Sequence, residues 1–269
     1  MLDFHNHVLP GVDDGPKEMS ESIEMLKYAS SQGITEIVQT VHFQHPKMHG
    51  RNVEFSYLKS ILKELELHLQ KEKIKIKIHL SAEVFYLPNL VNLIDNPLIL
   101  IGKKKYMLIE FTNNIYPLNF EEEFYKLQLN NICPIIAHPE RYRFVQNDIN
   151  ILNDWITRGY TIQIDAGSIL GKFGKISKNI SLEMIKNGFV HLIGSDAHNN
   201  KNRNFCIKEA YDFLRSNGYN EYVDILVNNS MNIFYDKEMK RYNKKEKKSI
   251  FSRFKLVNLF SRKIKKLYK

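Results

Sequence analysis

Cysteine is scarce: Cys133 and Cys206 are the only two in 269 residues. Two isolated thiols build no disulfide framework, and they fit a reducing, cytoplasmic location. No stretch approaches the roughly 18 apolar residues that a membrane-spanning helix needs. The N-terminus has neither a basic n-region nor an apolar h-region, so secretion is not expected. A G-x-x-x-x-G-K-S/T loop and a G-x-S-x-G elbow are both missing, which leaves nucleoside triphosphatase and serine hydrolase chemistry without support. Before the C-terminal tail there is no internal repeat and no low-complexity tract.

Acidic residues are few only at the C-terminus. The chain carries a net charge of +9, but residues 237–269 hold 14 Lys and Arg against 2 Glu, a net of +12. The body, residues 1–236, is therefore mildly acidic at −3. A nucleic-acid partner is not expected for such a body. The sequence thus divides into a globular domain, 1–236, and a basic tail, 237–269.

Short apolar runs alternate with longer amphipathic ones. Strands are predicted at 2–7, 34–41, 73–80, 106–111, 133–137, 161–164 and 190–194. Helices are predicted from the turn at Asp13-Asp14-Gly15-Pro16 up to Gly33, and over 54–72, 119–131, 146–159, 178–188 and 204–217. In the second, Leu58, Ile61, Leu62, Leu65 and Leu69 share a face. This alternation implies an α/β fold with a parallel sheet, doubly wound or closed into a barrel.

The polar residues stand at strand ends. His5 and His7 lie two apart on one strand and so share a face, as do Asp196 and His198. A single strand-end histidine is ordinarily a satisfied structural residue; two such pairs in one chain point to metal. His7, His42, Glu83, Glu110, His138 and Asp196 each fall at or just past the C-terminal end of a different predicted strand, where parallel α/β folds keep their active sites. With His5, Asp14 and His198 they make nine candidate ligands. Nine suit two or three ions, and imidazole with carboxylate but no thiolate suits Mn2+, Fe2+ or Zn2+, with Co2+ and Mg2+ as further candidates.

These residues carry a family resemblance. His5-x-His7, Asp13-Asp14-Gly15, His42, Glu83, His138-Pro139-Glu140-Arg141-Tyr142 and Ser195-Asp196-x-His198 together resemble the polymerase-and-histidinol-phosphatase (PHP) superfamily. Within it they look like the manganese-dependent bacterial capsule-type protein tyrosine phosphatases, the CpsB/YwqE group, over residue 1 to about 235. The Val12–Pro16 and Ala137–Tyr142 runs are the most specific part. Asp14, where other PHP branches more often place a histidine, favours the same group.

The resemblance implies a distorted (β/α)7 TIM-like barrel with a trinuclear centre. His5, His7, Glu83 and Asp196 would hold one ion. Glu83, Glu110 and His138 would hold the second, with Glu83 bridging, and Asp14, His42 and His198 the third. Arg141 and Arg203 match the family's phosphate-binding arginines, whose planar forks grip two oxygens at once; Arg203, in a polar loop, reads equally well as a surface residue. The metals would supply hydroxide at neutral pH. A phenol leaving group, with pKa near ~10, needs little acid assistance. The resemblance further implies a phosphotyrosine protein substrate, a bacterial tyrosine kinase of capsule or exopolysaccharide synthesis, and allows a homo-oligomer. Asp165 stands where relatives would have Asn; it is read as a supporting residue or a turn cap, not a ligand.

Cysteine-dependent phosphatases share a Cys-x5-Arg loop. Cys133 lies eight residues before Arg141, in a predicted strand, and reads as a core residue; Cys206 has Asp212 six residues on. Two alternatives to tyrosine phosphatase remain: a small-molecule phosphatase such as histidinol phosphatase, and a non-catalytic PHP module. In the tail, Ile250, Phe254, Val257, Phe260, Ile264 and Leu267 recur at helical spacing among lysines and arginines. Residues 249–269 are thus readable as a basic amphipathic helix on an anionic membrane, at its inner face, as a partner-docking or barrel-packed segment, or as a disordered one.

Overall fold

Seven strands run parallel in the order β1 (Leu2–Asn6), β2 (Glu36–Phe43), β3 (Lys77–Phe85), β5 (Tyr106–Glu110), β6 (Cys133–Ile136), β7 (Thr161–Asp165) and β8 (Leu192–Gly194). A two-residue strand, β4 (Leu100–Ile101), pairs antiparallel with β5. The computed structural model describes residues 1–102, 105–235 and 237–242; the helix predicted over 249–269 lies outside them. The outer strands meet through a parallel bridge between Asn6 and Ala197, with His7 N donating to Ala197 O and Asp196 N to His5 O, each at 2.8 Å. The sheet thereby closes into the expected distorted barrel.

Around it lie α1 (Met19–Ser31), α2 (Phe55–Lys71), α3 (Phe120–Leu129), α4 (Arg143–Asn147), α5 (Ile151–Thr157), α6 (Ala166–Leu170), α7 (Lys175–Asn187), α8 (Ile207–Ser216) and α9 (Asn220–Phe234). Each longer helix turns an apolar stripe to the sheet. In α2 the stripe is Leu58, Leu62, Leu65 and Leu69, all buried, and its burial drives packing of the helix more than propensity does.

Alternation along the strands separates two cores. Val38, Leu108, Ile135 and Leu192 cluster with Leu2, Phe4 and Ile233. By strand periodicity Val38 shares its face with His42, and Leu108 with Glu110, so this apolar layer lies beneath the polar residues inside the barrel. Strict alternation from Leu2 and Phe4 would turn His5 and His7 outward. A register shift between Asp3 and Asn6 resets the parity, which is how a bulge re-aims side chains.

Several predicted boundaries move for local reasons. The third strand begins at Lys77, not at 73, because Lys73 adopts φ 57° as α2 ends. The helix predicted over 146–159 is two helices, because Asp148 is extended and its carboxylate accepts from Asn150 N at 2.9 Å. The sequence reading omitted α9 altogether. Its buried face includes Asn229 and Ser230 beside Val223, Leu226 and Ile233, which interrupts the apolar period.

The first residues of the tail are tied to this helix. Asn229 donates to Lys240 O at 2.8 Å and accepts from Lys240 N at 2.9 Å, while Tyr242 stacks on Tyr222 with centroids 4.2 Å apart.

Candidate metal centre

The nine predicted ligands all gather at the C-terminal mouth of the barrel. They form four overlapping groups: His7, Asp14, His42 and His198; His5, His7 and Asp196; His5, Glu83 and His138; and His42, Glu83 and Glu110. Glu83 Oε2 lies 3.4 Å from His5 Nε2, 3.4 Å from His7 Nε2 and 3.2 Å from His42 Nδ1. Asp14 Oδ1 lies 3.2 Å from the Nε2 atoms of His42 and His198. Asp196 Oδ1 lies 3.6 Å from those of His5 and His7. Two ligands each about 2.0–2.2 Å from one ion sit at such separations.

Glu110 stands near two histidines. Glu110 Oε1 is 3.3 Å from His42 Nδ1, whereas Glu110 Oε2 is 3.9 Å from His138 Nε2. His42 Nδ1 lies 3.2 Å from Glu83 Oε2 as well, so this one nitrogen faces both carboxylates. His138 instead places Nε2 2.9 Å from Glu83 Oε1.

The donor set fits divalent cations. Among the described residues, His5 Nε2, His7 Nε2, His42 Nδ1, Glu83 Oε2 and Glu110 Oε1 are buried without a hydrogen-bond partner. Such orphaned atoms are costly unless something else satisfies them. Four carboxylates converge here, and three, Glu83, Glu110 and Asp196, are buried. Burial pushes the His5 imidazolium toward neutrality, but Glu83 and Asp196 outweigh it and raise its pKa to about 10. His42 is likewise lifted well above the ordinary histidine range, against burial, by Glu83, Asp14 and Glu110. Glu83 and Asp196 are held well below the carboxylate range: burial opposes this, and His5 and His42 for Glu83, Arg203 and His198 for Asp196, overcome it. The centre is built to surround positive charge.

Further side chains aim the ligands. His7 Nδ1 meets Asp13 Oδ2 at 2.7 Å and His5 Nδ1 meets Gln163 Oε1 at 3.0 Å, so in each ring Nε2 is left for the centre. His138 and Asp196 adopt φ 33° and 50°. Left-handed backbone at a non-glycine residue costs energy and persists where the surroundings enforce it. Gly194 permits the closure of β8 on β1, because a Cβ there would lie 2.7 Å from His5 Cβ.

The Ala137–Tyr142 run resolves residue by residue. His138 is a candidate ligand. Pro139 opens a 3-10 turn. Glu140 is buried, and its Oε1 accepts from Asp165 N at 2.9 Å; burial and the neighbouring Asp165 raise its pKa to about 7. Tyr142 donates to Ala137 O at 2.7 Å and accepts from Phe111 N at 2.8 Å. Arg141 reaches the mouth, with NH1 3.1 Å from Asp165 Oδ2 and 2.7 Å from Asp196 Oδ2. Arg203 NH2 contacts that same Asp196 oxygen at 2.6 Å, which places it at the site and not on a remote surface.

Asp165 is a support for Arg141 and accepts from Gln163 Nε2 at 3.0 Å; its side chain caps no helix. Gln163, a polar residue within β7, carries no sequence signal that marks it as a partner of His5. His45, in the loop after His42, places its Nε2 3.4 Å from Glu110 Oε1. Cys133 Sγ lies 3.4 Å from Thr161 Oγ1, at the opposite strand ends from the mouth, consistent with a packing role.

Comparisons with known proteins agree with this geometry. The chain is 36% identical over 230 residues to CapC of Staphylococcus aureus, covering 85% of this chain and 89% of that one. It is 35% identical over 234 residues to the tyrosine-protein phosphatase YwqE of Bacillus subtilis, covering 86% and 90%. Among solved structures, a chain described with the metal-dependent tyrosine phosphatases YwqE from Bacillus subtilis and CpsB from Streptococcus pneumoniae superposes with a TM-score of 0.84 at 32% identity, covering 90% of this chain and 97% of that one. Residues 1–235 match the profile of capsular polysaccharide synthesis proteins CpsB/CapC, and to that family the chain belongs.

Proposed function

We propose that the chain is a metal-dependent protein-tyrosine phosphatase that uses manganese and acts on a bacterial tyrosine kinase of capsule or exopolysaccharide synthesis. One observation carries the reading: a buried imidazole–carboxylate centre opens directly onto two arginines that share one carboxylate oxygen. The family relatives named as tyrosine phosphatases support the choice of substrate.

Divalent ions held by the nine residues would supply Lewis-acid charge and hydroxide at neutral pH. Asp13 and Gln163 keep the His7 and His5 rings in the orientation that serves such ions. Arg141 and Arg203 are each part-exposed, and their remaining N–H donors are free to take phosphate oxygens. A phenolate needs no strong acid to depart. The loops after Glu83 and Glu110 carry exposed Leu87, Ile115 and Leu118 beside the mouth, which suits a polypeptide more than a small polar phosphate.

The test is hydrolysis of a phosphotyrosine peptide and of histidinol phosphate, with Mn2+ and after chelation, beside His138→Ala and Arg141→Ala. Mn2+-dependent turnover of the peptide, lost in both variants, is expected. Preference for histidinol phosphate would move the chain to the small-molecule branch, and no turnover of either would favour a regulatory module.

A further inference from the structure

We propose that Phe173 is the specificity-determining platform of this site, seating both phosphate-binding arginines and offering its open ring surface to the aryl group of the substrate. The inference rests on the phosphatase reading and adds a residue to it. Arg141 Cζ lies 5.2 Å and Arg203 Cζ 5.6 Å from the centroid of the Phe173 ring. Guanidinium groups at this range are attracted to an aromatic face. The two arginines come from different strand ends, after β6 and after β8, and Phe173 and Asp196 are what they hold in common.

The backbone is shaped for the ring. Phe173 sits in a tight turn between α6 and α7, flanked by Gly171 at φ 85° and Gly174 at φ 93°. Beneath it Gly167 presents bare backbone: a Cβ there would fall 2.8 Å from Phe173 Cε2. The same segment of chain therefore holds Arg141 twice, through Asp165 at the end of β7 and through the ring seated two residues on at Gly167.

Phe173 is only half-buried, although it contacts two cations and a glycine. Both guanidinium groups lie within 6 Å of the ring centroid, so a phosphate gripped by them brings its ester group close to the ring. An aryl ester gains an offset or edge-on aromatic contact there. An alkyl ester has no ring to place.

The experiment uses the full chain loaded with Mn2+ and compares wild type with Phe173→Leu and Phe173→Tyr. It reads kcat and KM for phosphotyrosine and for phosphoserine, and inorganic phosphate binding by calorimetry. Phe173→Leu should raise KM for the aryl ester on the order of tenfold, with a smaller change in kcat. It should raise KM for the alkyl ester and weaken phosphate binding by a few-fold only, and Phe173→Tyr should restore the aryl value. Equal losses for aryl ester, alkyl ester and phosphate would overturn the aryl contact, and so would an unchanged aryl KM. Metal content and thermal melting show whether each variant is folded. If wild type hydrolyses neither ester, the phosphatase reading fails by itself; unchanged phosphate binding in Phe173→Leu would then also remove the arginine seat.

Discussion

The Asp13 carboxylate, 2.7 Å from His7 Nδ1 with both side chains buried, decides which nitrogen of His7 faces the centre. The other Asp13 oxygen accepts from Gly15 N at 2.9 Å, which fixes the carboxylate in turn. In Asp13→Asn the Asn oxygen can keep the Gly15 bond while its NH2 faces His7. Nδ1 must then accept, and the proton moves to Nε2, where a ligand lone pair is needed. Metal affinity should fall about 10–100-fold, with some loss of stability because Asp13 Oδ2 also accepts from His42 N at 3.3 Å. Titration of the metal-free protein with Mn2+ checks this; unaltered affinity would remove Asp13 from the design.

Metal binding should release protons. Without metal, His5 has a pKa raised to about 10 and His42 lies well above its ordinary value, so both rings are charged at pH 7.5. Ligation requires neutral imidazole. Addition of Mn2+ at pH 7.5 should expel about one to two protons per chain, and affinity should rise with pH up to about 10. Calorimetry in two buffers of different ionisation enthalpy measures the number. Release of none would mean that the carboxylates do not charge these rings.

Gly194→Ala should damage the centre without replacing any candidate ligand. The new methyl would meet His5 Cβ at 2.7 Å and Gln163 Nε2 at 3.0 Å, both in a packed interior. Overpacking of this kind costs about 1–3 kcal/mol. Loss of bound metal together with a lower melting temperature is expected, and a fully loaded variant of wild-type stability would contradict the closure of β8 on β1.

A buried histidine outside the centre reports on acid stability. His191 is kept neutral, its pKa pushed down to about 4 by burial and by the nearby Arg241, and its Nδ1 accepts from Ile162 N at 3.0 Å. The unfolded chain binds this proton near pH 6.5, so the contribution to stability is complete above about 6.5 and is lost as pH falls toward 4. Its full size is about 3 kcal/mol. Urea unfolding of wild type and His191→Asn across pH 7 to 4 isolates it, because the other titrations are common to both. Parallel pH curves would refute it.

The convergence of the nine candidate residues was legible because strand-end position is a local property. Asp196 and His198, however, lie past β8, which ends at Gly194, and Asp196 is left-handed, so strand periodicity does not relate those two. The alternation of elements gave a parallel sheet, doubly wound or closed, and the family resemblance pointed to the barrel. What stayed hidden depends on three-dimensional neighbours. Gln163 looks like any polar residue in a strand until His5 is brought to it. Phe173 looks like a loop aromatic until two arginines reach it. The approach of Glu110 to His42 is made by side chains from strands that are not neighbours, which no single strand encodes. Helix α9 escaped because Asn229, buried to tie down Lys240, breaks its apolar rhythm.

That tie has a consequence for orientation. Asn229 also donates to His191 O, just before β8, and Arg241 donates to Ile156 O, ahead of β7, so residues 237–242 are fastened over the N-terminal ends of the strands. The ligands occupy the other ends. Tyr242, stacked on Tyr222, therefore stands at the pole of the barrel opposite the mouth, and a change to these fastenings reaches the mouth only through the length of the strands.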